Sequence, residues 1–315
     1  MKTLINSFSK ILTALALSFF IIFVSSVIVG AQSNLVSNEL ISVTEKGNVP
    51  NNAPNFFDIS KDGSVVVYDS AATDIFESDV NNSRDIFAYD RAEKTTKIVS
   101  VDSEGEQSNG NHSSARISES GRYVVFSSNA TDLVEGSGSK LNVYRHDLYG
   151  GDTILISKGL NSEPANGTSG NSDINSDGNI IVYTSRASNI VSNDNNTYYD
   201  VFMYNVIEGT TTLVSMSNSG IQANSNTISR PSISNDGRYI AFASSASNLI
   251  DGKNDVNGYQ KDAFLFDNKY QDLRLLNVDS QGDQNVEAVS YVSVSGDGKY
   301  VAFNSFKNDL VEPSI

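Results

Sequence analysis

The sequence predicts an all-β protein, a β-propeller of about five four-stranded blades in which the last blade is incomplete. A motif with a central glycine recurs five times, at spacings of 58, 57, 59 and 61 residues. Apolar residues alternate after each copy, as in pleated strands, and no long stretch beyond the N-terminal segment has the 3.6-residue period of a helix. Repeats of this length favour a propeller, because the coils of a β-helix are far shorter.

The first element is a predicted secretory signal peptide at residues 1–31. Lys2 and Lys10 supply a basic start, residues 11–30 are uncharged and mostly apolar, and small residues precede Gln32. The alternative is an uncleaved membrane anchor, since about 20 apolar residues can span a bilayer. In both cases residues 32–315 are expected to be exported, as a periplasmic, cell-surface or secreted protein, with membrane contact only through this segment.

Composition excludes several classes of function. The formal net charge of −15 argues against nucleic-acid binding, which needs clustered Lys and Arg. The chain contains no cysteine, so disulfides, thiolate metal sites and a cysteine-linked lipid anchor are all excluded.

Each repeat opens with a predicted hairpin. A short strand leads to a polar turn that ends in glycine, and a strand rich in Val, Ile, Tyr and Phe follows. Glycine suits a turn position with positive φ, where other residues are strained. The five hairpins are DISKDGSVVVYDS from Asp58, RISESGRYVVFSS from Arg116, DINSDGNIIVYTS from Asp173, SISNDGRYIAFAS from Ser232 and SVSGDGKYVAFNS from Ser293.

A third and a fourth strand complete each unit, so that blades start near residues 55, 113, 171, 230 and 290. The third strands are DIFAYD, NVYRHD, DVFMYN and DAFLFD, and the fourth begin near residues 95, 153, 211 and 273. Residues 39–44 are predicted to be an N-terminal outer strand, because Ser42 precedes Ser100 by one repeat. The last unit stops after two strands, so either the N-terminal outer strand pairs directly with residues 299–305 or the sequence is part of a longer protein. The missing third strand favours the second alternative.

The turn motifs SNDGRYIAF and SGDGKYVAF resemble the WD-repeat-like propeller repeats of the TolB-like family, which is common in bacterial envelope proteins. The resemblance covers residues 55–305. It implies that the first strand of each blade lines a channel, that the fourth lies outermost, and that the long loops open on one face. The family includes peptidase-associated, signalling and interaction propellers, so the resemblance does not fix an activity.

A recurrent acidic pattern in the loops before the third strands is a candidate calcium site. Oxygen ligands two residues apart can converge on a hard cation, although no bidentate Glu follows at the EF-hand spacing. The alternative is that these residues cap turns through the backbone. The second unit lacks the pattern, because Asn142 replaces the last Asp. The candidate ligands are Asp79, Asn81 and Asp85, then Asp194, Asn196 and Asp200, then Asp255, Asn257 and Asp262.

Catalytic motifs are absent from the sequence. Of the two histidines, His146 takes a strand position held by aromatic rings in other units, and His112 is assigned to a polar loop. No nucleophile elbow, zincin motif or phosphate-binding glycine loop occurs. Calcium is the only candidate cofactor.

Two functions remain open. The first is a non-catalytic propeller, expected to be monomeric, that binds a protein or polysaccharide on its long-loop face. Tyr198, Tyr199 and Tyr259 are its candidate exposed contacts. The second is a secreted hydrolase or lyase that works with carboxylates and is assisted by calcium. Three or more carboxylates from different blades in one funnel would favour this second function.

Overall fold

The computed structural model describes residues 38–305, except residues 78, 228, 253–254, 280 and 285–287. The chain divides into two compact units, residues 1–41 and 42–315. In the first unit only residues 38–41 are described, and they form no regular secondary structure, so the predicted signal peptide lies outside the described residues. The described part contains no helix with the length and apolar character needed to cross a bilayer.

The second unit is built from antiparallel sheets that follow one another along the chain. Four sheets have four strands each in sequential order, and the last described sheet has two, which confirms the predicted all-β propeller architecture. The strands are β1 (Pro54–Ile59), β2 (Val65–Ser70), β3 (Asp85–Asp90), β4 (Thr95–Ile98), β5 (His112–Ile117), β6 (Tyr123–Ser128), β7 (Asn142–Asp147), β8 (Thr153–Leu155), β9 (Ser169–Ile174), β10 (Ile180–Ser185), β11 (Asp200–Asn205), β12 (Thr210–Leu213), β13 (Ser232–Ile233), β14 (Tyr239–Ser244), β15 (Asp262–Asp267), β16 (Asp272–Leu275), β17 (Val289–Val294) and β18 (Val301–Ser305).

The turn inside each hairpin explains the repeated motif. In the fourth sheet, Ser234 Oγ donates to Asp236 Oδ1 at 2.6 Å and accepts from the Tyr239 amide at 2.9 Å. Asp236 Oδ1 also accepts from the Arg238 amide at 3.0 Å. Gly237 has a φ of 72°, the left-handed conformation that glycine adopts without strain.

The middle two strands of each sheet carry the core. Aromatic rings on the second strand stack on rings of the third, with centroids 5.4 to 5.9 Å apart. These side chains are completely or almost completely buried, which agrees with a packing role for the repeated aromatic positions. The stacked pairs are Tyr68 with Phe87, Phe126 with Tyr144, Tyr183 with Phe202 and Phe242 with Phe264.

The first strands of neighbouring sheets lie side by side. β1 packs on β5, β5 on β9, β9 on β13 and β13 on β17. Side chains on these strands accept hydrogen bonds from backbone amides of the next sheet: Asp58 Oδ2 from Ile117 at 3.0 Å, Asp173 Oδ2 from Ile233 at 3.1 Å and Ser232 Oγ from Val294 at 3.2 Å. The strands that open each repeat are therefore bonded to one another around a common interior.

Two local predictions are wrong. Residues 39–44 carry no strand, and the chain there is held at the following turn, where the Glu45 amide donates to the Ile75 carbonyl at 3.0 Å. His112 does not lie in a polar loop but begins β5, with a side chain that is almost completely buried. β5 has an irregular register between Ser113 and Arg116, and this bulge interrupts the alternation from which strands are predicted.

We expect Gly237→Ala to destabilise the protein more than Gly209→Ala does. Both glycines have positive φ, so each substitution should cost about 1–2 kcal/mol of backbone strain. A β-carbon at position 237 would also lie 2.9 Å from Ile180 Cγ1, whereas one at position 209 meets no atom within 4 Å. Urea unfolding of both variants measures the difference, and equal losses would contradict the packing of this turn against the preceding sheet.

Candidate functional site

A cavity of about 1050 Å³ lies where the inner strands of all five sheets come together. Its charged lining consists of Asp58, Arg116, Asp173, Arg230 and Lys261. Its apolar lining includes Phe56, Pro231, Tyr291, Val292 and Phe303. The cavity therefore combines a group of facing charges with aromatic and aliphatic surface, at the end of the inner strands that adjoins the long loops.

Irregular backbone at the start of the inner strands shapes this cavity. Ser114 and Asn171 line it with φ values of 63° and 50°, in the left-handed region that few residues other than glycine adopt. Both lie where the register of β5 or β9 shifts against the second strand. A bulge turns side chains away from the regular alternation, so residues near these positions project into the interior.

The charges inside the cavity interact with one another. Arg116 Nη1 lies 3.8 Å from Asp58 Oδ1. Burial raises the pKa of the Asp173 carboxyl, and the positive charge of Arg116 opposes that rise. Burial also lowers the pKa of the Arg230 guanidinium, and repulsion by Arg116 adds to this decrease. The carboxylates of Asp173 and Asp58 oppose this decrease, so the charged groups of the lining form one interacting set.

The sign of the charge in the cavity differs from that of the chain. Among the described residues, the lining contains three cationic and two anionic side chains, whereas the sequence carries a net charge of −15. A cationic interior in an acidic protein favours an anionic ligand inside while repelling nucleic acid and other polyanions from the outer surface.

The predicted acidic loops form hydrogen-bond networks that join their carboxylates to a glutamine. In the third sheet, Gln222 Nε2 donates to Asp194 Oδ1 at 2.7 Å and to Asp200 Oδ2 at 2.8 Å. Ser215 Oγ donates to Asp200 Oδ1 at 2.6 Å. The Asn196 amide donates to Asp194 Oδ1 at 3.2 Å, and Asn196 Oδ1 accepts from the Tyr198 amide at 2.7 Å. Asp194 and Asn196 thus shape the turn, and Asp200 anchors it.

The first and fourth sheets repeat this network. Gln107 Nε2 donates to Asp79 Oδ1 at 3.0 Å and to Asp85 Oδ2 at 2.9 Å. In the fourth sheet, Gln284 Nε2 donates at 2.9 Å to both Asp255 Oδ1 and Asp262 Oδ2. Asn81 and Asn257 occupy the position of Asn196, and their side chains reach Asp85 and Asp262. Sequence reasoning found the carboxylates but missed the glutamine that joins them.

The second sheet lacks both the last carboxylate of the loop and the glutamine that donates to it. Asn142 stands at the carboxylate position and Pro164 at the glutamine position, as the isolated bridges Lys158 to Pro164 and Met216 to Gln222 show. Asn142 Oδ1 still accepts from Ser157 Oγ at 2.9 Å. The uncharged amide thus appears together with the loss of the glutamine donor.

The calcium hypothesis stays a prediction. In the described residues, no group of three or more His, Cys, Asp or Glu side chains is arranged to hold a metal ion. The Gln222 amide group lies between Asp194 and Asp200, so a cation bridging both carboxylates would have to displace it. Calorimetric titration of Ca²⁺ into chelator-treated protein tests this. Heat that disappears in Asp85→Asn or Asp200→Asn supports a site, and no heat at millimolar Ca²⁺ leaves the turn-capping alternative.

The two histidines are poorly placed for catalysis. His112 Nε2 lies 2.8 Å from Ser108 Oγ and 3.8 Å from Asp85 Oδ1, but both partners contact the same ring nitrogen and both are buried. Burial lowers the pKa of His112 to about 3, too low for a general base near neutral pH. His146 is buried as predicted, with Nδ1 at 2.8 Å from Thr153 Oγ1.

The three candidate tyrosines lie away from the cavity lining. Tyr259 is 91% exposed and Tyr198 is 43% exposed. Tyr199 is partly buried, and its ring lies below the Arg186 guanidinium at 5.6 Å. Their use as ligand contacts stays a prediction.

Similarity to known proteins is found among solved structures. No family model and no curated protein matches the sequence. Among solved structures, TolB from Acinetobacter baumannii matches with a TM-score of 0.42 and 14% identity, over 82% of this chain and 55% of that one. The putative TolB from Agrobacterium tumefaciens matches with a TM-score of 0.48 and 17% identity, over 82% of this chain and 72% of that one. An oligogalacturonate lyase from Vibrio parahaemolyticus matches with a TM-score of 0.49 and 12% identity, over 82% of this chain and 64% of that one.

These similarities concern the fold alone. The matched structures include TolB proteins, a lyase and propeller-bearing peptidases, such as a dipeptidyl peptidase 4 from Porphyromonas gingivalis. The propeller assignment itself rests on the order and pairing of the sheets described above.

We expect Asp200→Asn to change how stability depends on pH. Burial raises the pKa of Asp200 to about 6. Between about pH 4 and pH 6 the unfolded chain has lost this proton while the folded protein keeps it, so the carboxyl lowers stability as pH rises through this interval. Relative to the wild type, the variant should therefore gain up to about 3 kcal/mol between pH 4 and pH 7. Urea unfolding at several pH values measures it.

The converse substitution provides the control. Asn142→Asp places a carboxylate at the equivalent position of the second sheet, where Pro164 provides no amide donor. Its stability relative to the wild type should fall as pH rises from 4 to 7. Parallel pH profiles for wild type and both variants would contradict the burial of these carboxyl groups.

Proposed function

We propose that the chain is an exported, non-catalytic β-propeller that binds an acidic segment of a partner protein in its central cavity. The observation that carries this proposal is the pair formed by Arg116 and Arg230. The two guanidinium groups line one cavity, and among the described residues neither donates a hydrogen bond to the carboxylates of Asp58 and Asp173 that line it with them. Export is supported by the predicted signal peptide.

The hydrogen-bonding capacity of the two arginines is largely unused. Arg116 approaches Asp58 only at 3.8 Å, which is an ion pair without a hydrogen bond. For the Arg230 side chain, no hydrogen bond or ion pair is found among the described residues. Planar guanidinium groups bind carboxylates through two parallel hydrogen bonds, and this pairing is strong in a partly desolvated site.

The remaining lining favours a peptide over a polysaccharide. Phe56, Pro231, Tyr291 and Phe303 offer apolar surface beside the arginines. A peptide can bury apolar side chains there, whereas a sugar chain presents hydroxyl groups on most of its surface. The cavity volume of about 1050 Å³ suits several residues of a chain, since pockets for small ligands measure roughly 300–1,000 Å³.

The number of carboxylates in the cavity, and the hydrogen bonds that they already accept, support binding over catalysis. In the described part of the lining there are two, Asp58 and Asp173, whereas a carboxylate-dependent hydrolase or lyase was expected to assemble three or more. Each also accepts a hydrogen bond from the next sheet, at the Ile117 or Ile233 amide. These carboxylates hold the sheets together, and that role restricts their movement toward a substrate.

We expect Arg230→Gln and Arg116→Gln to weaken the binding of an acidic peptide by at least about tenfold, because a hydrogen bond to a charged group contributes about 1.5–3 kcal/mol. The probe is a fluorescent octapeptide of alternating Glu and Leu, followed by anisotropy at low and high salt. Arg274→Gln is the matched control, since Arg274 lies on the outer strand β16 and pairs with Asp272 at 2.6 Å.

Other outcomes would overturn the proposal. Binding that Arg274→Gln weakens as much as Arg230→Gln does would indicate nonspecific charge attraction. An oligogalacturonate that binds at the arginines while the peptide does not would exclude a protein ligand. Absence of binding by either probe would remove the cavity as an anion site.

A further inference from the structure

The outer edges of the second, third and fourth sheets are not equivalent. Their edge strands are β8, β12 and β16, and one residue of each holds the same register. Thr153 pairs with His146, Thr211 with Tyr204 and Leu273 with Phe266. At this position the backbone amide and carbonyl point away from the sheet, because the residue does not exchange hydrogen bonds with its partner strand.

In the second and fourth sheets a side chain from the preceding loop covers this edge. The Thr153 amide donates to Ser103 Oγ at 3.1 Å. The Leu273 amide donates to Asn218 Oδ1 at 2.7 Å, and Asn218 Nδ2 donates to the Leu273 carbonyl at 3.1 Å. Ser103 and Asn218 take the same place in their loops, two residues after Val101 and Met216, which form the isolated bridges.

In the third sheet this cover is absent. The loop position of Ser103 and Asn218 is taken by Leu160, two residues after Lys158, and a leucine side chain has no group that can bond the strand edge. The loop instead forms a short 3-10 turn at Leu160–Ser162, and the Leu160 amide donates to the Asn189 carbonyl at 2.7 Å. Among the described residues, the Thr211 amide has no partner from this loop.

A groove of about 700 Å³ lies between this turn and β12. Ile190, Leu213 and Met216 contribute apolar surface, and Leu160 stands beside them with 44% of its surface exposed. Lys158 is the single charged residue of the described lining. The groove thus joins an open strand edge to a nearly uncharged, partly apolar wall.

We propose that this groove binds an extended, uncharged segment of a partner protein, which adds as a fifth strand to the third sheet at Thr211. The neighbouring sheets show which chemistry fits the edge. Asn218 offers one acceptor and one donor to Leu273, and a peptide unit offers the same pair to Thr211. Strand addition takes affinity from such backbone bonds and specificity from alternate side chains, here an apolar side chain packed on Leu160.

This proposal is independent of the acidic ligand proposed for the central cavity. The groove lies at the outer strand of one sheet and the cavity at the inner strands of all five, and no residue lines both. The groove also lacks a pair of cations that would attract a carboxylate. The two sites therefore predict different ligands and respond to different substitutions.

The test uses the whole chain and a library of random linear heptapeptides displayed on phage, with the selected peptides then synthesised. Leu160→Asn should restore an edge cover like that of Asn218 and weaken peptide binding at least tenfold. Peptide binding to the wild type should also slow hydrogen exchange at the Thr211 amide. Leu160→Ala keeps the edge open and removes only the apolar contact, so it should weaken binding less than Leu160→Asn.

The opposite exchange gives a second check, since Asn218→Leu should speed hydrogen exchange at the Leu273 amide. A thermal melt of Leu160→Asn no lower than the wild type excludes unfolding as the cause of lost binding. Failure to select any peptide would overturn the proposal. The proposal would also be overturned if the selected peptides bound the Leu160→Asn variant as tightly as the wild type. The same holds if only Arg230→Gln weakened their binding.

Discussion

Hydrogen bonds between the inner strands of neighbouring sheets are the interactions on which the rest of the molecule depends. Asp58, Asp173 and Ser232 each accept from a backbone amide of the next sheet, at distances of 3.0 to 3.2 Å. Because these strands open each repeat, the bonds set the angle and spacing of all later strands. They also require an acceptor side chain at one position per repeat, and this position faces the interior. Folding thereby restricts which residue types can occupy that position.

Arg116 is the exception at this restricted position. A guanidinium has no acceptor, so Arg116 cannot make the inter-sheet bond that Asp58 and Asp173 make. A cation therefore stands where the first and third sheets carry an acceptor, and this cation lines the central cavity. Burial is the main cause of the lowered pKa of Arg230, Arg116 adds to it, and the carboxylates of Asp173 and Asp58 oppose it. Under the proposed function, a bound carboxylate would accept hydrogen bonds from both guanidinium groups, so the residue that departs from the inter-sheet bond increases the affinity for an anion.

The turns and strands of each repeat could be predicted from the sequence, whereas the residues that face one another in the cavity could not. The glycine turns and the alternating second strands appear in the structure as predicted, because each depends on neighbours within about five residues. The pairing of Gln222 with Asp194 and Asp200 was missed, since the glutamine lies 22 residues or more from both. The cavity depends on residues brought together from five repeats, and no periodicity reveals which of them face one another. His112 was assigned to a loop because the bulge in β5 hides its strand.

Departures from the repeat are informative when they occur together. The loop after the second sheet differs at Leu160 and at Pro164. Pro164 removes the amide that would bridge two carboxylates, and in the same sheet the buried Asp is replaced by Asn142. A buried carboxylate without its donor would be costly, so the second change compensates for the first. Among the described residues Leu160 has no such compensation, because the Thr211 amide has no partner from this loop and 44% of the Leu160 surface is exposed. The change at Pro164 is matched by Asn142 in the same sheet, whereas the change at Leu160 leaves the Thr211 edge without a cover. A partner strand that binds at Thr211 explains this difference.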